Sequence, residues 1–496
     1  MIKVGRIRAE LVAAAALCSG GVAHAAVTIS STATQNMSCS GGVCSPTAAS
    51  AVLNVSDLTT MLASGGVTVN TGSGSLASQV NDIIVAAGFT WSSSSSLTLD
   101  AYRSVTVNQP IADSGSGAVS LITNDGGTSG TLSFISGGSL SFASISNNLS
   151  IDGQVYTLEN SIETLAKAID RNASGYYALS SNYNASGDGT YMKAPIEKSF
   201  AGTFNGLGNT ISHLSLRGKL SERRTLNLGL FAYVAQSGSV NSLAIADAKV
   251  VAASHGTPNV GVAVAVNYGA VFNVSAAGTL TASVASDSLA TIGGLVGFSP
   301  GTIANSSASV AVSVSAKSKS NGQVIMGGLV GTNSGTLENS FATGVSSANG
   351  AEMPATVGGL VGFNDGALKN CYATGNTTAQ AGDGGLNGGL IGVDGSTVSS
   401  SYSTGAPTGE NHVYVGGFVG DDDSTNGFSN DYWDTTTSGI TNLSQGAGNI
   451  ANDPGITGEP TPQLQAGLPS GFDPTVWAES PSINNGLPYL IANPPQ

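Results

Sequence analysis

A glycine-rich block recurs along the second half of this 496-residue chain and constrains its fold more than any other feature. Gly-Gly-Leu-Val-Gly begins at residues 293, 327 and 358, and variants begin at 388 and 416, so the spacings are 34, 31, 30 and 28 residues. A period in this range is typical of stacked-repeat folds, in which one unit cannot bury its own apolar face. The first and last glycines of the blocks are Gly293, Gly297, Gly327, Gly331, Gly358, Gly362, Gly388, Gly392, Gly416 and Gly420.

A short turn follows each block, and then an aliphatic residue, an asparagine and an aromatic residue stand at alternating positions, as in Leu337, Asn339 and Phe341. Alternation with a period of two predicts that all three lie on one face of a strand. Stacked coils would then form three columns of like residues, with hydrogen bonds along the asparagine column. The asparagine positions are Asn305, Asn339, Asn370 and Asn430.

These repeats predict an all-β fold, a parallel β-helix (solenoid) with about seven coils between residues 228 and 439. The crossover rule favours a right-handed solenoid. Glycine pairs weaken a strand, so their recurrence predicts a tight corner where successive coils pack closely. A β-propeller is the structural alternative, but its blades need four strands over about 40–50 residues.

The chain divides into six predicted segments. An amphipathic helix over 161–170 is predicted to cap one end of the solenoid or to lie at a junction between two solenoid sections, because its apolar residues recur at helical spacing. The segments are a signal peptide (1–25), a polar lead-in (26–50), an irregular β-solenoid (51–158), a helix with the segment leading into the repeats (159–227), the repeat β-helix (228–439) and a Pro-rich C-terminal cap (440–496).

The N-terminus has the pattern of a secretory signal, with basic residues, an apolar run and a small-residue cleavage site at Ala23-His-Ala25. We therefore expect an exported protein, extracellular or on the cell surface in association with the outer membrane, with the periplasm as the alternative. In such a compartment Cys39 and Cys44 are candidates for a disulfide. Cys371 is interpreted as a buried small apolar residue. No segment after the signal is long enough to span a membrane as a helix.

Charged residues make up 9% of the chain and its net charge is −14, which disfavours a nucleic-acid partner. The one basic cluster is interpreted as a solvated loop; it comprises Arg217, Lys219, Arg223 and Arg224. The densest acidic site is a weak candidate for calcium, because hard cations prefer clustered oxygens, with a solvated loop as the competing interpretation. It comprises Asp421, Asp422 and Asp423, and its spacing does not match an EF-hand.

Parallel β-helices also carry polysaccharide lyases and hydrolases, so an enzyme is the main alternative. Lyase chemistry on acidic sugars uses Lys or Arg as the base. From Thr225 onward the chain has no arginine and four lysines, and its repeat acids do not recur at matched positions. We therefore predict no catalytic residue and no cofactor-binding residue.

The repeats resemble those of the GLUG-repeat proteins of bacterial surfaces, whose motif reads Gly-Leu-apolar-Gly, a Gly turn, Ile/Leu, Asn, Ser and a Tyr-Ala-Thr-Gly tail. Residues 293–305, 327–344, 358–375 and 388–405 match this pattern, and the resemblance extends over roughly 155–490. Such arrays occur in filamentous-haemagglutinin-like adhesins, whose passenger part is similar to residues 51–158, and in some surface peptidases. The chain lacks the zinc-binding His-Glu-x-x-His motif of those peptidases.

The resemblance implies a non-enzymatic surface protein that acts in adhesion or as a rigid stalk. Its partners would be a host, abiotic or neighbouring-cell surface, including surface glycans, contacted at many points at once. A passive scaffold without any ligand is a third alternative, beside the adhesin and the carbohydrate-active enzyme.

Overall fold

The computed structural model describes residues 25–72, 80–220, 224–284, 289–316, 322–351, 354–381, 384–409, 413–425 and 427–495. The predicted signal peptide, apart from Ala25, lies outside these residues. The described chain is a parallel β-solenoid, which confirms the predicted fold class. It has two sections with separate hydrophobic cores, one built from residues between Val27 and Leu207 and the other from residues between Ile162 and Ala447.

The N-terminal section has three parallel sheets, which we call N1, N2 and N3. Its strands alternate buried and half-exposed residues, because each sheet faces the core on one side only. Sheet N1 contains Ala51–Asn54, Ala25–Ser30, Val80–Val85, Val105–Val107 and Leu132–Phe134. Sheet N2 contains Phe89–Trp91, Ile111–Asp113 and Leu140–Phe142. Sheet N3 contains Val43–Pro46, Val67–Asn70, Leu97–Asp100, Ala118–Ile122 and Asn148–Ile151.

The segment predicted as a polar lead-in, 26–50, contributes strands to the first coil of this section. Met37–Ser40 and Val43–Pro46 form an antiparallel hairpin, and the disulfide between Cys39 and Cys44 joins its two strands.

Helix α1, Val55–Ser64, was not predicted from the sequence. Asn54 caps its N-terminus by accepting a hydrogen bond from the Ser56 backbone at 2.7 Å. Leu58 and Leu62, one turn apart, are fully buried in the N-terminal core. Helix α1 packs beside the N2 strand Phe89–Trp91, so the first coil has a helix where later coils have an N2 strand.

The two sections meet at a chain reversal. Strand Gln154–Glu159 pairs antiparallel with Asn148–Ile151, and Asp152 and Gly153 between them have positive φ, as a two-residue hairpin requires. Helix α2, Ile162–Arg171, follows directly and begins at its N-cap Ser161. Its buried residues Ile162, Leu165 and Ile169 join the C-terminal core, so the predicted helix lies at the junction of the sections.

The C-terminal section also has three faces, which we call C1, C2 and C3. Among the described residues C2 and C3 have seven strands each, all parallel, which agrees with the prediction of about seven coils and excludes the propeller. C2 contains Thr225–Leu228, Thr257–Val260, Leu289–Gly293, Gln323–Gly327, Ala355–Gly358, Leu386–Gly388 and Tyr414–Gly416. C3 contains Phe231–Val234, Val264–Asn267, Val296–Ser299, Val330–Asn333, Val361–Asn364, Ile391–Asp394 and Val419–Asp422.

C1 is the widest face and takes one, two or three strand segments from each coil. It contains Tyr176–Leu179, Tyr183–Asn184, Thr203–Asn205, Thr210–Ser212, Ser215–Leu220, Ser239–Ser254, Ala270–Val284, Thr302–Ala304, Ser307–Ala316, Thr336–Glu338, Phe341–Ala342, Ser346–Ala351, Ala367–Lys369, Tyr372–Ala373, Thr377–Ala381, Val398–Ser399, Tyr402–Ser403, Pro407–Gly409, Phe428–Ser429, Asp431–Asp434 and Ile456–Glu459.

The glycine block forms the corner between C2 and C3. A Cβ atom on Gly293 would lie 2.0 Å from the carbonyl oxygen of Val296 in the same corner. One on Gly359 would lie 2.1 Å from the carbonyl oxygen of Gly389 in the next coil. Both contacts are too close for any side chain, so glycine recurs because backbone fills the space that a Cβ would need.

The C-terminal segment has two parts. Ala447 pairs with Val419, and Ile456–Glu459 pairs with Asp431–Asp434, so these residues cover the last coil. From the short helix α3, Thr461–Leu464, to residue 495 the chain instead runs along the outside of C1. It includes a small antiparallel pair, Trp477–Ala478 with Tyr489–Leu490. We call residues 460–495 the strap.

Candidate functional site

The repeated asparagine lies at a corner of the coil, between two strand segments of C1. Asn305, Asn339, Asn370 and Asn430 all have positive φ, between 48° and 57°, and Ser400 takes the same conformation in its coil. Asparagine tolerates this left-handed region better than most residues. Each corner residue therefore reverses which side of the sheet the following residues face.

This corner makes the prediction of one shared face wrong. Leu337, before the corner, is buried in the solenoid core, whereas Phe341, after it, belongs to a separate cluster outside the coil. Within the asparagine column, one predicted bond along the stack is present, from Asn370 Nδ2 to Asn339 Oδ1 at 3.2 Å.

The aromatic column is present and stacks outside the solenoid. The rings of Phe341 and Tyr372 are 4.7 Å apart and those of Tyr372 and Tyr402 are 5.1 Å apart, each pair within 6° of parallel. The strap covers them, with Trp477 lying 6.1 Å from Tyr372 and 5.9 Å from Tyr402. The rings are therefore internal packing groups and not exposed binding residues.

The strap runs back along the stack, against the order of the coils. Its residue Ser470 accepts a hydrogen bond from the Tyr432 hydroxyl at 2.9 Å, and Pro488 accepts one from Tyr402 at 2.6 Å. Near its end, Asn493 donates to the carbonyls of Asn339 and Ser306, each at 3.2 Å. It thus ties together successive coils from Ser306 to Tyr432.

A second polar column, not predicted from the sequence, follows the corner residues on the inner side. Its members are Ser306, Ser340, Cys371, Ser401 and Asp431, all at most 1% exposed. Side chains of this column accept hydrogen bonds from backbone N–H groups of the coil before. The Ser306 N–H donates to Ser340 Oγ at 3.0 Å, the Cys371 N–H to Ser401 Oγ at 3.1 Å and the Ser401 N–H to Asp431 Oδ1 at 2.9 Å. The column satisfies backbone donors that the corner removes from the sheet ladder.

Cys371 belongs to this inner column, in agreement with its interpretation as a buried small residue. Burial raises the pKa of its thiol, and the thiol contacts the Lys369 carbonyl oxygen at 3.2 Å. A buried, protonated thiol is a poor nucleophile.

A third polar column lies inside the turn that follows C3. Asn333 donates to Asn364 Oδ1, and Asn364 donates to Asp394 Oδ1, both at 2.7 Å. In the next coil the equivalent position is Asp422, and the Asp453 carboxyl group lies close to that of Asp422. The column therefore changes from neutral amides to carboxyl groups towards the C-terminal end.

The three consecutive aspartates of the calcium candidate are not brought together. Asp421 and Asp422 lie on opposite sides of the C3 strand, and Asp423 is exposed in the turn after it. The described residues contain no group of three or more His, Cys, Asp or Glu side chains arranged to hold a metal ion. Strand alternation explains the separation, since adjacent residues of a strand point to opposite sides.

Burial raises the pKa of Asp394 to about 6, with Asp422 and Asp365 adding repulsion, and burial together with Asp422 raises that of Asp453 to about 7. The folded state therefore binds these protons more tightly than the unfolded state, whose carboxyl pKa is near 3.8. The contribution of these two carboxyl groups to the free energy of unfolding is therefore greatest below pH 4, and it falls as the pH rises to about 7.

We expect Asp394→Asn to remove this loss and to raise the free energy of unfolding at pH 8 by about 2 kcal/mol relative to the native chain. Asparagine keeps the oxygen that accepts from Asn364. Chemical denaturation at pH 4, 6 and 8 measures the effect, and Asp423→Asn, an exposed change of the same charge, is the control. Native stability that increases from pH 4 to pH 8, with Asp394→Asn showing no gain, would contradict this prediction.

The outer side of C1 carries a column of hydroxyl groups on the long strand segments. Thr281, Ser313, Ser347, Thr378 and Thr408 are in register in successive coils and all are exposed or half-exposed. The Thr378 and Thr408 hydroxyls are 3.0 Å apart. At a strand spacing of about 4.8 Å the column forms a straight row of neutral donors and acceptors about 19 Å long.

The basic cluster predicted as a solvated loop is only partly described, since Arg223 lies outside the described residues. Arg217 and Lys219 alternate with buried residues on the strand Ser215–Leu220, where both are exposed. Among the helices of the described chain, none has the length and apolar character needed to cross a membrane.

Comparison with known proteins finds the same repeat. The family described as the GLUG motif matches residues 354–378, which form most of one coil, from the C2 strand Ala355–Gly358 to the C1 segment Tyr372–Ala373. The chain is 32% identical over 229 residues to Halomucin from Haloquadratum walsbyi (strain DSM 16790 / HBSQ001), a match that takes in 44% of this chain and 2% of that protein.

Solved structures with similarity to the chain include two described as IgA1 proteases. A candidate immunoglobulin A1 protease from Bacteroides ovatus has 18% identity and a TM-score of 0.40, over 68% of this chain and 92% of that one. A second structure, named IgA1 Protease, has 18% identity and a TM-score of 0.35, over 54% of this chain and 20% of that one. The described chain is a parallel β-solenoid, and its residues 354–378 match the GLUG motif.

Proposed function

We propose that this chain is part of an exported, non-enzymatic surface protein that adheres through the outer side of C1. The observation that carries the proposal is the hydroxyl column from Thr281 to Thr408, a flat and regularly spaced row on the widest sheet. Many weak contacts spaced along a stiff surface give avidity without a deep pocket. The GLUG motif, which the sequence resemblance links to bacterial surface proteins, supports the same assignment.

The placement of the acidic residues supports a non-enzymatic role. Asp394 and Asp431, whose pKa values are raised by burial, are fully buried inside the coils. A polymer lying on the outside of the solenoid could not reach them. Glycoside hydrolysis needs two carboxyl groups that flank the substrate, and lyase chemistry needs an accessible base.

We expect the triple variant Thr281→Val, Ser313→Ala and Thr378→Val to reduce adhesion at least about tenfold, because avidity multiplies the loss at each contact. The matched control, Thr225→Val, Thr257→Val and Ser334→Ala, makes the same chemical changes at exposed positions away from C1, on two C2 strands and in a turn after C3. Beads coated with each protein would be tested under flow for retention on cultured epithelial cells, on bacterial cells and on silica.

Equal retention of the two triple variants on every surface would contradict the proposed face. Retention no better than that of uncoated beads would favour the passive scaffold. Calcium-dependent, sustained cleavage of an acidic polysaccharide by the native chain would instead establish the carbohydrate-active enzyme.

A further inference from the structure

A groove of about 870 Å³ lies where the two solenoid sections meet the end of the strap. Its volume is within the range of about 300–1,000 Å³ that is usual for small-molecule sites. One wall is the loop after Leu132–Phe134 in the last N1 strand, and the other is the end of the strap at Asn493 and Pro494. The floor is the outer side of C1 in the coils before Phe341.

The floor is formed by the same column that carries the stacked rings further along. Ala244, Ser275, Ser307 and Phe341 are in register in four successive coils. The small side chains leave open the space that rings and strap fill in later coils. The groove therefore ends against the first ring, Phe341, and Phe134 is among the residues of the opposite wall.

The corner residues show which part of the groove lacks a partner. Asn273 donates to the Phe134 carbonyl at 3.0 Å and so ties the floor to the N-terminal wall. Asn339 accepts from Asn370, and Asn370 accepts from Trp477 of the strap. Asn305 stands between these two tied regions and lines the groove, and its Oδ1 is buried with no hydrogen-bond partner in the described chain. A buried amide oxygen without a partner costs free energy that a ligand donor would recover.

The groove is polar but carries no charge. Its described lining offers amides, hydroxyls and backbone groups, including Asn182, Asn273, Ser275 and Ser309, and contains no Asp, Glu, Lys, Arg or His. A phosphate or carboxylate ligand would find no cation there, and a cationic ligand no anion. Neutral sugars suit such a surface, because their hydroxyls pair with amides and hydroxyls while their C–H faces pack on aromatic rings.

We propose that this groove binds a neutral oligosaccharide, whose hydroxyls bond to the amides and hydroxyls of the floor. The Asn305 side chain would rotate to accept from one sugar hydroxyl, and a sugar ring would pack beside the edge of Phe341. The site is separate from the hydroxyl column, so the proposal goes beyond adhesion through C1 and does not depend on it.

The test uses the full chain and titrates it with neutral tetrasaccharides of glucose, mannose and N-acetylglucosamine by calorimetry and saturation-transfer NMR. We expect at least one to bind with a dissociation constant on the order of 10⁻⁴ M. Ser307→Phe should weaken it at least tenfold, because the new ring would extend the stack from Phe341 into the groove. Asn305→Gly, which keeps the left-handed corner and removes the amide, should weaken it similarly.

Ser315→Phe is the matched control, since it makes the same change on the same strand and the same side but outside the groove. It should bind the sugar like the native chain, and so should the triple variant of the hydroxyl column. Thermal unfolding shows that each variant is folded, and Asn305→Gly tests the site independently if Ser307→Phe fails to fold. Three results would each overturn the proposal: no binding of any neutral tetrasaccharide, undiminished binding in the folded groove variants, or equally tight binding of tetragalacturonate.

Discussion

Replacing Gly359 by alanine is expected to lower the free energy of unfolding by about 3 kcal/mol. The new Cβ would lie 2.1 Å from the carbonyl oxygen of Gly389 and 2.9 Å from the Cβ of Ala373. Neither atom is the end of a flexible side chain, so two coils must move apart at the corner. That displacement would also lengthen hydrogen bonds of neighbouring coils, because each coil is held by the ones beside it.

Gly395→Ala is the control for this prediction. Gly395 lies in the turn of the next coil, where the nearest atoms to an added Cβ would be 3.7 Å away. Urea denaturation followed by circular dichroism would compare the two variants with the native chain. If Gly359→Ala and Gly395→Ala proved equally stable, close approach at the corner would not be the reason for the glycine block.

Trp477→Ala is expected to weaken the packing of the strap on the solenoid by about 4 kcal/mol, because it removes the largest side chain between the strap and the stacked rings. Trp477 is 1% exposed, its ring centroid is 4.7 Å from that of Phe472, and its Nε1 donates to Asn370 Oδ1 at 3.3 Å. The loss includes the hydrogen bond as well as the cavity. We expect the strap to detach before the solenoid unfolds, because the coils keep their own core.

Limited proteolysis measures this prediction directly, since cleavage within 460–495 should become faster while the remainder stays resistant. Tyr414→Ala is a suitable control, because Tyr414 is an aromatic residue that is 55% exposed. Unchanged protection of the strap in Trp477→Ala would show that other contacts are sufficient to hold it. Detachment would also expose Tyr372 and Tyr402, so binding of a hydrophobic dye should increase.

The sequence predicts the features that follow from the repeated motifs. It does not predict those that depend on the sign of the backbone φ angle or on contacts between residues far apart in the chain. The spacing of the glycine blocks predicts the fold class and the number of coils, because every block makes the same close backbone contact at its corner. The predicted alternation with a period of two is wrong at Asn339, because one residue with positive φ reverses the side of the sheet that the following residues face. The signal was present in the sequence, since asparagine is the non-glycine residue that most readily takes that conformation.

Long-range pairing explains the other differences. Nothing local predicts that Trp477 packs on Tyr372, or that Phe134 lies near Asn273, because these contacts join parts of the chain more than 100 residues apart. Helix α1 was missed because Leu58 and Leu62 give a short apolar repeat among threonines and serines, in a region rich in strands. The groove follows from these distant contacts, so its position required the structure.

The strap limits the number of solenoid coils that can lie between its two ends. Because it bonds to Ser306 at one end and to Tyr432 at the other, the number of coils beneath it is fixed by its own reach. If a whole repeat under the strap were duplicated, the strap could no longer make its hydrogen bonds at both ends at once. Repeats added before Ser306 would not be limited by the length of the strap. They would, however, move the two walls of the groove apart unless the walls were displaced together.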